Sequence, residues 1–280
     1  MNNKDLNLKK IRVAIYHDKG VSELSYQSLF FNFAKKIEHF SKKIKITLHS
    51  INSNDILNNK LIKDKFDCLI IPGGADLPYC EKLNNKGNEN IKEFIKLGKL
   101  YIGICAGSYY ASKYIDFIGL NPIDNKIYKI KGKRELCFFY GSAIGSIKQL
   151  TNGKYYNDMF DSKAMINLSK SNKRYYYHGG PYFIADKNTK YEELLNYTFN
   201  NKELPAVILG EFGYGKYLLS GVHFELSHQI YKNLILQKLN TESYEYKIEK
   251  EIYNHLKEDG YGSELYISIA SILESLPCPM

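Results

Sequence analysis

No apolar stretch in this 280-residue chain reaches the ~18 residues that a membrane-spanning helix needs. The start, MNNKDLNLKK, is polar and runs straight into a short apolar segment, which is not the pattern of a secretory leader. No Cys-x-x-Cys pair occurs. The five cysteines (68, 80, 105, 137 and 278) are scattered and odd in number. That argues against a disulfide framework and predicts reduced thiols in a cytoplasmic setting. The histidines at 17, 39, 49 and 255 have no ligand spacing with one another, so no metal and no cofactor is expected. There is no internal repeat and no low-complexity tract. Nor is there an arginine-rich stripe, which matters because the net charge is +9. The lysines are spread along the chain, and lysine, asparagine, isoleucine and tyrosine are abundant throughout, as an AT-rich coding sequence produces. Neither a nucleic-acid nor a membrane partner is expected from such a distribution.

What is present is ordinary for a globular domain: 44% hydrophobic and 25% charged residues, enough for a substantial core. Residues 11–16 (IRVAIY) predict a buried strand. Ser22 to Phe40 carries Leu24, Leu29, Phe33, Ile37 and Phe40 near helical spacing. Residues 44–50 alternate as a second strand. "FDCLIIPGG" is a continuous apolar run of the kind that suits a parallel strand covered on both faces. A helix over 88–98, a strand at LYIGIC and a helix from about Gly107 to Phe117 follow. Alternating strands and helices predict an α/β fold with a mainly parallel, doubly wound sheet. Segments 126–131, 135–141 and 174–185 look extended, as hairpin insertions. Residues 204–222 predict a hairpin turning at Gly213–Gly215, and a helix over about 226–239 closes the domain. Two more helices are expected at 242–258 and 263–275. The organisation expected is thus a main domain over 1–240 and a helical extension over 241–280, the latter a candidate surface for a homodimer or protein partner.

One stretch carries chemistry. "GICAGSYYAS" sets Cys105 between two glycines, after a strand and before a helix. That is the layout of a nucleophile elbow, in which glycines permit a turn too tight for larger side chains. The thiol stands at the carboxyl end of a strand, where open α/β sheets place their sites. The helix behind it points a partial positive charge at the sulfur, which favours the thiolate. A nucleophile needs a base, and the base needs an orienting group. His223 in "SGVHFELS" lies just past a strand, and Glu225, two residues on in an extended segment, points the same way and can fix its tautomer. Gly73 and Gly74, at the end of the preceding parallel strand, can bring backbone N–H groups near the thiol, with Ala106 N–H as a further oxyanion donor. Losing one such donor typically costs ~3 kcal/mol of transition-state stabilisation. The plain alternatives are a small residue in a tight corner, a structural histidine and a strand-ending turn.

These pieces, in this order, resemble the class I glutamine amidotransferase-like superfamily. They are most similar to one branch, the amino-terminal domain of biotin–protein ligases in free-standing form. The resembling stretches are "IIPGGADLPY" (70–79), "YIGICAGSYYAS" (101–112), "KIKGKRELCFFYG" (129–141), "YYHGGPYFIAD" (176–186) and "GKYLLSGVHFELS" (215–227), which span most of residues 11–227. The resemblance implies a flavodoxin-like fold, a Cys105–His223–Glu225 triad and a Gly-Gly oxyanion loop. In glutaminases of this class the fourth residue after the cysteine is usually a glutamine that helps hold the substrate. Here it is Tyr109, a change the ligase branch shares, so glutamine is not implied as substrate. No GRGRxG-type biotin motif is present, and biotin transfer is not expected.

Asp76 and Tyr79 follow the Gly-Gly loop and are expected to line the pocket. Tyr109 and His178, the latter in "YYYHGGPYF", are further candidate substrate contacts, each with a structural role as the competing assignment. Arg134 and Glu135 read as a surface ion pair, worth ~1 kcal/mol or less. Cys68 reads as inert core. Two functions stay open. One is a Cys105-dependent hydrolase or amidotransferase acting on a small-molecule amide or acyl substrate. The other is a non-catalytic module that senses a ligand or partner. Redox or glyoxalase-like chemistry wants an acid near the cysteine, and the local sequence offers none.

Overall fold

A computed structural model describes residues 8–277; Cys278 and the first seven residues lie outside that range. The apolar runs set the frame. β1 (Lys9–Tyr16), α1 (Glu23–Phe40) and β2 (Ile44–Ile51) come first. Two short helices, α2 (Ser53–Leu57) and α3 (Lys60–Lys63), lead into β3 (Cys68–Ile71). Then follow α4 (Asp76–Leu83), α5 (Lys86–Lys96), β4 (Leu100–Ile104) and α6 (Ala106–Ala111). The middle of the chain is β-rich: β5 (Ser112–Leu120), β6 (Ile127–Lys133), β7 (Phe139–Gly145), β8 (Ala164–Ser169), β9 (Arg174–Tyr177) and β10 (Tyr182–Ala185). β11 (Glu192–Phe199), β12 (Lys202–Phe212) and β13 (Gly215–Ser220) return the chain to the centre. α7 (His228–Leu234), α8 (Tyr244–Leu256) and α9 (Ser263–Ser275) complete it.

A nine-stranded sheet runs β2-β1-β3-β4-β13-β12-β11-β8-β9. It is parallel from β2 through β13 and antiparallel beyond. The parallel half has the 2-1-3-4-5 order of flavodoxin-like folds, with β13 as the fifth strand. Burial follows the period of two along its strands. Val13, Ile15, Ile70, Ile102 and Leu218 face one layer, where Leu29 and Phe33 of α1 and Leu265 and Ile269 of α9 cover them. Ala14, Tyr16, Leu69, Ile71 and Tyr101 face the other, under α4, α5 and a second sheet of order β10-β7-β5-β6.

Some expectations need correcting. The helix expected from Gly107 to Phe117 ends at Ala111, and Ser112–Leu120 is a strand instead. Ser108 Oγ donates to the carbonyls of Gly103 (2.8 Å) and Ser220 (2.9 Å), and Ser112 Oγ to that of Ser108 (2.9 Å). The residues that follow are β-branched and aromatic and find partners on both sides, β6 and β7. The helix expected to reach 239 stops at Leu234, with a short 3-10 turn at Leu236–Lys238. The two carboxyl-terminal helices form where expected. α9 is built into the main core: the Tyr266 ring meets those of Phe33 (centroids 6.0 Å) and Phe224 (5.5 Å).

Candidate active site

β3, β4 and β13 are neighbours, and their carboxyl ends deliver Gly73-Gly74, Cys105 and His223 to one place. Cys105 has φ 50° and ψ −104°. A non-glycine residue held there stores roughly 1–3 kcal/mol of strain, and such strain clusters at functional sites. The main chain holds the residue on both sides. Its N–H donates to Ser220 O (2.8 Å), and its carbonyl accepts the N–H groups of Ser108 (3.0 Å) and Tyr109 (3.1 Å). Backbone crowding requires both flanking glycines. A Cβ on Gly103 would lie 2.5 Å from Gly107 O, and one on Gly107 would lie 2.2 Å from Ile71 O. The side chain is 7% exposed.

His223 Nδ1 lies 2.8 Å from Glu225 Oε1. A carboxylate only accepts, so Nδ1 carries the proton and Nε2 is left for the thiol. Burial lowers the ring's proton affinity. The Glu225 charge, together with hydrogen bonds to Cys105 and Glu225, outweighs it and pushes the His223 pKa up to about 10. The thiol also has a hydrogen bond to His178 O, at 3.8 Å. The main chain of His223 is anchored as well, its N–H to Tyr176 O (3.0 Å) and its carbonyl to the Tyr261 hydroxyl.

Sequence reasoning missed Ser25 on α1. Its hydroxyl donates to Glu225 Oε1 (2.6 Å) and accepts the Gly73 N–H (3.2 Å). One side chain therefore links the acid to the glycine loop. No local signal marks it, since Ser25 and Glu225 are 200 residues apart. The same bond corrects the oxyanion assignment of Gly73, whose N–H is already engaged. The N–H groups of Gly74 and Ala106 have no partner among the described residues, and both residues line the cavity beside Cys105.

That cavity has a volume of about 590 Å³. Asp76, Tyr109 and His178 line it, as expected. Tyr79 does not: it is fully buried behind the loop, with its hydroxyl on the carbonyls of Gly73 (3.2 Å) and Pro72 (3.3 Å). Tyr109 donates to Gly179 O (2.9 Å) and forms a wall. His178 Nε2 sits 2.9 Å from Asn157 O and 3.0 Å from Ser162 Oγ. Burial, then the nearby Lys163 charge, pushes its pKa down to about 3, so it is neutral at pH 7. Arg134 is not at the surface, and its partner is not Glu135. It is 9% exposed, and its Nε donates to Asp76 Oδ2 at 2.7 Å. Glu135 instead accepts from Asn85 N and Asn88 Nδ2. Cys68 is fully buried, as expected of core.

The strand order defines a flavodoxin-like α/β fold, with Cys105 on the turn that follows its fourth strand, β4. The family described as biotin-protein ligase, N terminal, matches residues 11–267, and the chain belongs to it. An uncharacterized protein of Chlamydia muridarum is 26% identical over 227 residues, covering 76% of this chain and 80% of that one. The biotin–protein ligase of Schizosaccharomyces pombe is 29% identical over 173 residues, 57% of this chain but only 25% of the ligase. A solved glutamine amidotransferase from Thermotoga maritima covers 95% of this chain and 99% of its own at 12% identity, with a TM-score of 0.45. Among the described residues no helix is long and apolar enough to cross a membrane.

Proposed function

We propose that the protein is a cysteine-dependent amidohydrolase or acyl transferase acting on a small molecule in the reduced interior of a cell. The observation that carries this reading is one arrangement. A thiol on a strained elbow lies beside an imidazole whose other nitrogen is held by a buried carboxylate, and the N–H groups of two residues lining the same cavity, Gly74 and Ala106, have no partner among the described residues. The Cys105 sulfur, its proton held on His223 Nε2, bonds to the acyl carbon. The carbonyl oxygen takes the negative charge and is held by the N–H groups of Gly74 and Ala106. As the C–N bond breaks, His223 returns its proton to the leaving amine. Water then loses a proton to His223 and attacks the thioester, which releases the acid and restores the thiol.

Labelling with iodoacetamide at pH 7 tests this. Burial pushes the thiols of Cys68, Cys80 and Cys137 up, so they form little thiolate. Cys105 labels fastest, and His223→Ala slows it. Equal rates at Cys105 and Cys80 refute the reading.

A second reading is a ligand-sensing module without turnover. It is favoured by Tyr109, which stands where glutaminases of this class keep a substrate-holding glutamine and spends its hydroxyl on Gly179 O. Under it, a ligand that raises the melting temperature is recovered unchanged after incubation.

A further inference from the structure

The walls of the cavity carry a charge pattern opposite to that of the whole chain. The protein has a net charge of +9, yet among the described residues no lysine or arginine lines the cavity; its charged lining there consists of Asp76, Asp158 and His223. His223 is neutralised by Glu225. Asp76 gives one oxygen to Arg134 behind it, and its Oδ1 has no partner among the described residues. Lys163, whose charge lowers the proton affinity of His178, is tied to Glu249 at 2.6 Å. Asp158 has no ion-pair partner among the described residues and is oriented by the Tyr156 hydroxyl at 3.0 Å. The cavity lining therefore holds one solvent-exposed carboxylate without an ion-pair partner among the described residues and one buried carboxylate with a free oxygen.

The same lining carries a chain of aromatic rings in edge-to-face and tilted contact. Tyr109 meets Phe117 (5.7 Å between centroids), Phe117 meets Tyr156 (5.6 Å) and Tyr156 meets His178 (4.6 Å). Tyr176 then bridges His178 (6.2 Å) and His223 (5.5 Å). Aromatic faces beside a carboxylate attract a cation and give nothing to a carboxylate ligand. His178, whose Nε2 hydrogen is committed to Asn157 O, presents only an acceptor at Nδ1.

We propose that this cavity selects a positively charged acyl or amide compound, its cation seated on the tyrosine wall near Asp158 and Asp76 and its carbonyl at Cys105. The substrate class so named excludes free carboxylates, α-amino acids among them. The proposal rests on the reading of Cys105 as the nucleophile only for the position of the carbonyl.

Three haloacetamides matched in size test it, one ending in a trimethylammonium group, one in a neutral alkyl group and one in a carboxylate. Second-order labelling rates are read at Cys105 and, as internal controls, at Cys80 and Cys137. At Cys105 the cationic probe reacts at least about tenfold faster than the anionic one. At the controls the net positive charge of the protein gives no such preference. Asp158→Asn lowers the cationic-to-neutral ratio at Cys105. Equal rates for the three probes at a fast-reacting Cys105, or a faster anionic probe, overturn the charge proposal while the nucleophile reading stands. If Cys105 is no faster than Cys80 with any probe, the nucleophile reading falls. The charge proposal is then read by calorimetry of the corresponding unreactive acetamides on Cys105→Ser, where tighter binding of the cation supports it and equal or weaker binding overturns it.

Discussion

Gly73 is the most economical place to break the site without touching its chemistry. A Cβ added there would lie 2.5 Å from His223 Cε1 and 3.4 Å from both ring nitrogens. Carbon atoms pack at ~3.5 Å or more, so the ring must retreat by about 1 Å. It has little room to do so, because Glu225 holds Nδ1 at 2.8 Å and the Tyr176 ring stands behind it at 5.5 Å. Gly73→Ala is therefore expected to cost roughly 1–3 kcal/mol of stability as an overpacked site. Its larger effect is on reactivity, where a misplacement of ~1 Å lowers rates by on the order of 100-fold. The assay is iodoacetamide labelling of Cys105 from pH 5 to 10, run beside urea unfolding. Gly74→Ala is the contrast. Gly74 has φ +146°, and its Cβ would meet Gly20 O at 1.9 Å, so that change strains the backbone itself and weakens the whole loop. If Gly73→Ala labels within about twofold of wild type with an unshifted unfolding midpoint, the packing of ring against glycine is not what positions the base.

The two cavity histidines bound stability from opposite sides of neutral pH. His223, raised to about 10, contributes stability that is full below its unfolded value of ~6.5 and is lost as pH rises through about 10. His178, lowered to about 3, stays neutral while the unfolded chain takes up a proton, so stability falls as pH drops from ~6.5 toward about 3. Urea midpoints across pH 4–10 should show both limbs, with Glu225→Gln flattening the alkaline one and His178→Gln the acid one. Arg134→Met leaves the 9%-exposed Asp76 unpaired and should cost roughly 3–5 kcal/mol in denaturant unfolding, much of it recovered by adding Asp76→Asn. Tyr261→Phe removes the donor to His223 O and the acceptor of Tyr176 N–H (3.2 Å). It should cost about 1–3 kcal/mol and slow Cys105 labelling, because α9 and its lead-in hold the base from behind.

The parallel half of the sheet was legible because its strands are buried on both faces and read as unbroken apolar runs, as in Val13–Tyr16 and Cys68–Ile71. Cys105, His223 and Glu225 were legible for a related reason: each stands just past such a run, where the chain pattern changes. The segment after Ala111 was not. Tyr114, Ile115 and Phe117 satisfy a helical spacing about as well as an alternating one, and only pairing with β6 and β7 decides between them.

Partnership across distance was the other blind spot, and it changes the charge of the site. Arg134 beside Glu135 looks in sequence like an exposed pair. Folded, the arginine travels to Asp76, 58 residues away, and the glutamate turns to Asn85 and Asn88. Lys163 is drawn to Glu249, 86 residues on. Arg134 and Lys163 are thereby committed to acids, and Asp158, which lines the same cavity as Cys105, has no ion-pair partner among the described residues. A formal charge of +9 says nothing about that space, because the local field is set by which charges find partners during folding and which do not.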